Sequence, residues 1–236
     1  MSYGTLYVVA TPIGNLDDIS LRALQTLKSV DVCLAEDTRH TQKLFAHFDI
    51  PFNLKSCYRF NEKTRVNGII DMLEKGKSVA LVSDAGMPGI SDPGERIIRE
   101  VIDAGLPVTV IPGACSPLVA LVLSGMRMDR FAFEGFLPRK GNKRNKLLRK
   151  IESNDATSMV FESALRIEPL LADILAICGD RKIALCRELT KLYEDVQRGS
   201  CSQMIGKLSA GELKLKGEFV VVIEGRESFD KRLRGA

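Results

Sequence analysis

Short apolar runs alternate with segments of helical periodicity along almost the whole chain. Residues 6–10 (LYVVA) have the continuous apolar pattern of a buried strand, and residues 20–29 place Leu21, Leu24 and Leu27 at helical spacing. Further strands are predicted at residues 30–35, 78–82, 107–111, 131–134, 158–161, 183–186 and 219–224. Further helices are predicted at residues 38–47, 63–75, 117–124, 146–152, 168–178 and 201–208, with one more beginning near Pro93. This alternation predicts an α/β fold.

The same pattern predicts where the chain divides. A turn of small residues at positions 112–117 separates two halves of similar size. We therefore expect an N-terminal α/β domain at residues 1–113 and a second α/β domain at residues 114–227. Residues 228–236 are polar, carry Lys231, Arg232 and Arg234, and are expected to form a flexible basic tail.

The composition is that of an ordinary globular protein, with 45% hydrophobic and 27% charged residues in a chain of 236. No apolar stretch approaches the ~20 residues that a membrane helix needs, and the N-terminus lacks the cationic region of a secretory signal. We therefore expect a cytoplasmic protein with no membrane partner. The six cysteines form no C-x-x-C pair, and His40 and His47 have no evident third ligand, so no metal site is predicted.

Three turns rich in small residues each follow a predicted strand, at residues 11–15 (TPIGN), 83–94 (SDAGMPGISDPG) and 112–117 (PGACSP). In an α/β sheet, ligands bind beyond the carboxyl ends of the strands. Gly86 and Gly89 would allow a close approach of backbone to ligand, and Asp84 supplies a carboxylate for ligand hydroxyls or an ammonium group. The alternative interpretation is a plain connecting loop whose turns need Gly and Pro.

Charged residues form three further groups. Residues 36–40 (EDTRH) and 187–191 (RELTK) follow predicted strands, and either group could be an active-site wall or an ordinary helix N-terminus favoured by acids. Residues 139–150 contain no acid and are predicted to form a loop that leads into a helix. Such a block is either a solvated face or a surface whose mobile cations contact phosphates. Its seven cations are Arg139, Lys140, Lys143, Arg144, Lys146, Arg149 and Lys150.

Taken in order, the motifs TPIGNLDDIS, AEDTRHT, ALVSDAGMPGISDPG, FEGFLPRKG and RELTK resemble the tetrapyrrole-methylase superfamily. Within it they are similar to the bacterial small-subunit ribosomal RNA (cytidine-2′-O)-methyltransferases, over residues 6–225 or so. The resemblance implies a two-domain tetrapyrrole-methylase-like fold with S-adenosyl-L-methionine in a cleft between the domains, and a homodimer. It implies 2′-O-methylation of a cytidine ribose in the decoding region of 16S rRNA, in the small ribosomal subunit. It also implies that an extra C-terminal helical domain of many relatives is absent.

The resemblance assigns roles to individual positions. Residues expected to bind the cofactor are Pro12, Ser83, Asp84, Ala85, Gly86, Ile90, Cys115, Ser116, Phe161 and Gly217. Residues expected to face the substrate are Glu36, Asp37, Arg39 and His40. A ribose hydroxyl is a poor nucleophile, so a general base would help; the candidates are Glu36, Asp37, His40 and Glu188. Lys191 or Arg39 could stabilise the developing alkoxide or hold a phosphate.

Two other functions stay open at this point. A methyltransferase acting on a small tetrapyrrole-like substrate is expected to carry a G-x-G-P-G form of the first turn, where this chain has TPIGN. A non-catalytic RNA-binding protein on the same fold is expected to have lost the characteristic residues of the cofactor loop. This chain instead has Asp84 and the glycines of that loop.

Overall fold

The alternation of strands and helices predicted from the sequence is present throughout the computed structural model, which describes residues 2–51, 53–58 and 61–235. The predicted α/β fold is confirmed. The chain divides into two units, Met1–Cys115 and Ser116–Ala236, and each contains a five-stranded sheet. In the described ranges, no helix combines the length and the apolar character needed to cross a bilayer.

The sheet of the first unit is entirely parallel, with strand order β3-β2-β4-β1-β5. Its strands are β1 (Leu6–Val9), β2 (Val32–Ala35), β3 (Leu54–Ser56), β4 (Val79–Val82) and β5 (Val108–Ile111). Its helices are α1 (Leu21–Ser29), α2 (Thr38–His47), α3 (Glu62–Glu74) and α4 (Glu95–Asp103), with a short 3-10 helix at Leu16–Asp18. Because all the strands are parallel, their carboxyl ends lie at one edge of the sheet.

The helices of this unit cover the sheet in two pairs. Helices α1 and α2 pack on one face, in a core that includes Leu27, Ala35, Phe45 and Val82. Helices α3 and α4 pack on the other face, in a core that includes Leu34, Ile69, Leu81 and Ile97. Strand β4 lies between β1 and β2 in the sheet. The helices that follow β1 and β2 pack on one face, whereas α4, which follows β4, packs on the other, so the connections switch faces at β4. Such a switch opens a crevice at the carboxyl end of the strand, which is where α/β sheets bind ligands.

The second unit has a mixed sheet with strand order β6-β7-β10-β8-β9, in which only the β6–β7 pair is parallel. Its strands are β6 (Phe131–Phe136), β7 (Thr157–Ser163), β8 (Lys182–Arg187), β9 (Asp195–Ser200) and β10 (Glu218–Ile223). Its helices are α5 (Ser116–Ser124), α6 (Asn142–Ser153), α7 (Ile167–Cys178), α8 (Cys201–Ser209) and α9 (Arg226–Arg234), with a 3-10 helix at Ala164–Arg166. Helices α6, α7 and α8 contribute to its main core, and α5 packs against β8 and β10.

The end of the chain differs from the expected flexible tail, because Arg226–Arg234 forms helix α9. The ring of Phe229 lies beside the guanidinium groups of Arg181 and Arg232, at 5.4 and 5.2 Å from its centroid. Arg232 also pairs with the buried Glu224 at 2.9 Å. Cation–π contacts and ion pairs of this kind hold a polar helix that has no apolar stripe, so hydrophobic periodicity gave no sign of it.

Candidate functional site

The loops after β1 and β4 are bonded to each other at the carboxyl edge of the first sheet. The N–H of Thr11 donates to the carbonyl of Gly86 at 2.9 Å, and the N–H of Gly86 donates back to Thr11 at 3.1 Å. The hydroxyl of Thr11 donates to the carbonyl of Ser83 at 3.2 Å. Gly86 has a φ of +84°, and a Cβ there would lie 3.2 Å from the Ile13 side chain. A larger residue at position 86 is therefore disfavoured by both backbone and packing.

The loop after β2 joins the same group through Asp84. The backbone N–H of Asp37 donates to the Asp84 carboxylate at 3.0 Å, across 47 residues of sequence. Asp84 is half-buried, and the adjacent Ala85 is exposed. The structure therefore brings together, at one sheet edge, the buried Pro12 and Ser83 with Gly86 and with the acids that follow β2. Ile90, further along the same loop, is 43% exposed.

The two acids after β2 have opposite electrostatic environments. Burial raises the pKa of the Glu36 carboxyl, and the nearby carboxylates of Asp92, Asp84 and Asp37 raise it further, against the opposing effect of the Asp84 backbone N–H. Asp37 instead accepts hydrogen bonds from the Arg39 side chain at 2.7 and 3.0 Å, and these lower the pKa of Asp37. Glu36 is therefore the acid of this pair that takes up a proton more readily.

Asp37 also caps helix α2, because its carboxylate accepts the backbone N–H of Arg39 at 2.9 Å. The helix-cap interpretation thus describes Asp37 correctly. The Arg39 side chain is 85% exposed despite this pairing, and His40 is also exposed on α2. The guanidinium group of Arg39 and the imidazole of His40 are therefore both accessible to solvent.

Glu62, which the sequence did not single out, supports the loop at residues 83–94 through a hydrogen bond at the end of that loop. It is buried at the first turn of α3, and its carboxylate accepts the backbone N–H of Gly94. Gly94 has a φ of +128° and directly precedes α4. The loop at residues 83–94 is therefore held at both ends, by Thr11 at its start and by Glu62 at its finish. No pattern in the sequence pointed to Glu62, because strand β3 before α3 was not among the predicted strands.

In the second unit, the RELTK motif forms a strained turn after β8. Glu188 and Thr190 have φ values of +49° and +62°, in the left-handed region. The Glu188 carboxylate accepts the N–H of Glu218 at 2.9 Å and the ammonium of Lys191 at 3.1 Å. Burial alone would raise the pKa of Glu188, but these two hydrogen bonds outweigh it and lower the pKa. Glu188 is therefore a stable carboxylate rather than a strong base.

Gly217 lies directly against this turn, and a Cβ there would overlap the Glu188 side chain. Phe161 lies on β7, near the same end of the sheet, since β7 pairs with the start of β10. Its ring contacts those of Phe133 and Phe136, with centroids 4.9 and 5.2 Å away. Cys115 ends the first unit and Ser116 begins α5. The roles of these four residues toward a cofactor stay predictions.

The basic block lies mostly on a helix, since α6 begins at Asn142, and not in the predicted loop. The predicted phosphate contact is wrong for Arg144, whose side chain is only 4% exposed. It pairs with Asp173 at 2.6 Å and with Glu162 at 3.6 Å. Lys150 is exposed but pairs with Glu134 at 2.9 Å. The remaining exposed cations are Arg139, Lys140, Lys143, Lys146 and Arg149.

Curated relatives match nearly all of this chain. Proteins named ribosomal RNA small subunit methyltransferase I include that of Halalkalibacterium halodurans, 46% identical over 94% of this chain and 76% of the relative. The Bacillus subtilis protein of the same name is 45% identical, over 94% and 75% of the two chains. The protein of that name from Escherichia coli O157:H7 is 41% identical, over 98% and 82%.

Solved structures share the fold at low sequence identity. The methyltransferase CobJ superposes with a TM-score of 0.67 at 17% identity, over 94% of each chain. A uroporphyrin-III C-methyl transferase from Thermus thermophilus, crystallised with S-adenosyl homocysteine, has a TM-score of 0.65 at 16% identity, over 94% of this chain and 97% of that one. The sequence model of the tetrapyrrole (corrin/porphyrin) methylases matches residues 5–205. The chain therefore belongs to the family of tetrapyrrole (corrin/porphyrin) methylases.

Proposed function

We propose that this chain transfers the methyl group of S-adenosylmethionine to the 2′-hydroxyl of a cytidine in 16S rRNA. The observation that carries this proposal is the 41–46% identity, over more than nine-tenths of the chain, to proteins named ribosomal RNA small subunit methyltransferase I. The cytidine and its 2′-oxygen follow from the resemblance of the five ordered motifs. Activity in the cytoplasm and as a homodimer belongs to the same proposal.

The residues at the carboxyl edge of the first sheet fit the cofactor chemically. S-adenosylmethionine carries an ammonium group and ribose hydroxyls, and the half-buried Asp84 carboxylate is an acceptor suited to either. The left-handed Gly86 keeps the β1 and β4 loops close together without a side chain between them. When bound, the cofactor supplies an electrophilic methyl group. The residues proposed to hold it are Pro12, Ser83, Asp84, Ala85, Gly86, Ile90, Cys115, Ser116, Phe161 and Gly217.

Among the candidate bases, the electrostatics favour Glu36. A general base works best when its pKa lies near the operating pH, and burial beside three carboxylates raises the pKa of Glu36 toward it. Asp37 and Glu188 are held as carboxylates by Arg39 and Lys191, which makes them weaker proton acceptors. We therefore assign Glu36 to accept the proton of the 2′-hydroxyl.

Cations near this edge and on α6 are proposed to hold the RNA. The exposed Arg39 can reach a phosphate beside the reacting ribose. Lys191 is shared between two carboxylates, Glu188 and Glu218, so we assign it to stabilising the turn rather than to an alkoxide. The exposed cations of the basic block, without Arg144, supply phosphate contacts whose strength falls with salt.

The direct test is transfer of tritium from methyl-labelled S-adenosylmethionine to purified small ribosomal subunits. The labelled RNA is then hydrolysed in alkali, because a 2′-O-methyl group blocks cleavage of the neighbouring phosphodiester. Label is expected in an alkali-resistant dinucleotide that begins with cytidine. The Glu36→Gln variant should bind the cofactor in calorimetry and transfer little label. Label in a tetrapyrrole-like acceptor but not in RNA, or no cofactor binding at all, would replace this proposal with one of the two alternatives.

A further inference from the structure

A polar cavity of about 620 Å³ lies in the second unit, at the end of the sheet where β7 and β8 begin. Thr157 and Lys182, the first residues of these strands, line it, whereas Glu188 follows the opposite end of β8. At ~3.3 Å per residue, the length of β8 separates the cavity from Glu188 by roughly 17 Å. The cavity is therefore distinct from the RELTK turn.

Positive charge dominates the lining. Four cationic side chains and one carboxylate contribute to it, namely Arg127, Lys182, Arg198, Arg232 and Glu224. Arg127 pairs with Asp129 and Glu227, and Arg232 pairs with Glu224. Within residues 2–51, 53–58 and 61–235, no carboxylate lies within ion-pair distance of Lys182 or Arg198. These two cations carry the uncompensated charge of the cavity.

The two unpaired cations belong to neighbouring strands. Lys182 pairs in register with Ser200, and Arg198 lies two residues before Ser200 on β9, so both project from the same face of the sheet. Arg198 is anchored, because its Nε donates to the carbonyl of Leu123 at 2.6 Å. A cation fixed in this way loses little side-chain entropy on binding an anion.

The remaining lining identifies the kind of anion. The Ser228 hydroxyl and the Gln203 amide can donate to phosphate oxygens, whereas the hydroxyls of Ser124 and Thr157 already donate to the carbonyls of Leu121 and Arg127. Its lining contains no aromatic ring on which a base could stack. Arg and Lys with hydroxyl side chains are the groups that contact the sugar-phosphate backbone of nucleic acids.

We propose that this cavity binds a phosphodiester of the RNA substrate, through residues other than those proposed to carry methyl transfer. This inference rests on the proposed function, since it takes the RNA as the substrate. The cavity would hold the RNA by its backbone, without reading its sequence. It would also give the basic helix α9 a role, since Arg232 from that helix is part of the lining.

The test is equilibrium binding of a fluorescent transcript of small-subunit rRNA, measured from low to high salt, to the wild-type chain and to Lys182→Gln/Arg198→Gln. Binding by the double variant is expected to weaken at least roughly tenfold at low salt. The salt slope should flatten by about 1–2, because each lost phosphate contact removes ~0.7–0.9. The Lys182→Arg variant should keep both values. Lys63→Gln, which removes one exposed cation on α3, is the matched control and should change neither.

Cofactor binding by calorimetry and the unfolding midpoint of each variant separate this inference from misfolding and from the proposed function. Both quantities should match those of the wild type. Weaker RNA binding with a flatter salt slope in the double variant would then support the cavity, even if no methyl transfer occurred. RNA binding that is unchanged in the double variant overturns the inference. The inference is also overturned if the double variant no longer binds inorganic phosphate or cytidine 5′-monophosphate but still binds RNA. The cavity would then take a small free anion.

Discussion

Replacing Arg144 by Met tests whether this cation of the basic block stabilises the fold or binds RNA. The side chain is 4% exposed and pairs with Asp173 at 2.6 Å and Glu162 at 3.6 Å. Glu162 is itself fully buried, and its other oxygen pairs with Arg166 at 2.6 Å. Removing Arg144 would leave one Glu162 oxygen buried without a cation.

The expected cost follows from that arrangement. Breaking a buried ion pair by removing one partner destabilises a protein by about 3–5 kcal/mol. Because Arg166 still pairs with Glu162, we expect the lower end, about 3 kcal/mol, which lowers the melting temperature of a chain this long by roughly 6–12 °C. The neighbouring Lys143→Met, at an exposed position, should change stability by less than ~0.5 kcal/mol. Adding Glu162→Gln to Arg144→Met should recover part of the loss, since the buried negative charge is then removed.

Thermal and chemical unfolding of the three variants, with RNA binding measured in parallel, provide the assay. RNA affinity should fall for Lys143→Met and stay near the wild-type value for Arg144→Met at temperatures where it is folded. Equal stability of Arg144→Met and Lys143→Met would refute the buried-pair reasoning. A salt-dependent loss of RNA affinity in Arg144→Met without loss of stability would restore the original phosphate interpretation.

Three further variants test the site at the first sheet edge. Glu36→Gln should lower kcat by ~10²–10⁴-fold. The wild-type rate should rise with pH through the raised pKa of Glu36, since only the carboxylate accepts a proton. The same pH profile in the variant and the wild type would contradict this. Asp84→Ala should weaken S-adenosylmethionine binding by ~1.5–3 kcal/mol in calorimetry, and unchanged affinity would remove Asp84 from the site. Glu62→Ala should raise the KM for the cofactor and destabilise the fold by ~1–3 kcal/mol, because the Gly94 N–H is left unpaired. Glu62→Gln keeps an acceptor oxygen and should stay close to the wild type in both KM and stability. Equal losses in the two variants argue against the hydrogen bond.

The local pattern of the sequence was sufficient to predict most elements and the loops that meet at the edge of the first sheet. Parallel strands present their carboxyl ends at one edge, so the turns after β1, β2 and β4 had to lie near each other once the α/β pattern was recognised. Strand β9 was missed because its sequence, DVQRGS, has no apolar alternation; pairing with β8 makes it a strand. Helix α9 was missed for the same reason, since its contacts are ionic and cation–π.

Only the tertiary structure decided which charged residues are available for chemistry. Sequence placed Glu36 and Asp37 together, but their pKa values diverge because Asp84 and Asp92 approach Glu36 from the loop at residues 83–94 while Arg39 engages Asp37. Arg144 looked like its neighbours along the chain, and it is buried because its position on α6 faces acids from β7 and α7. Periodicity records whether a residue is apolar, whereas the energy of a charge depends on the solvent and partners around it, which only the folded arrangement specifies.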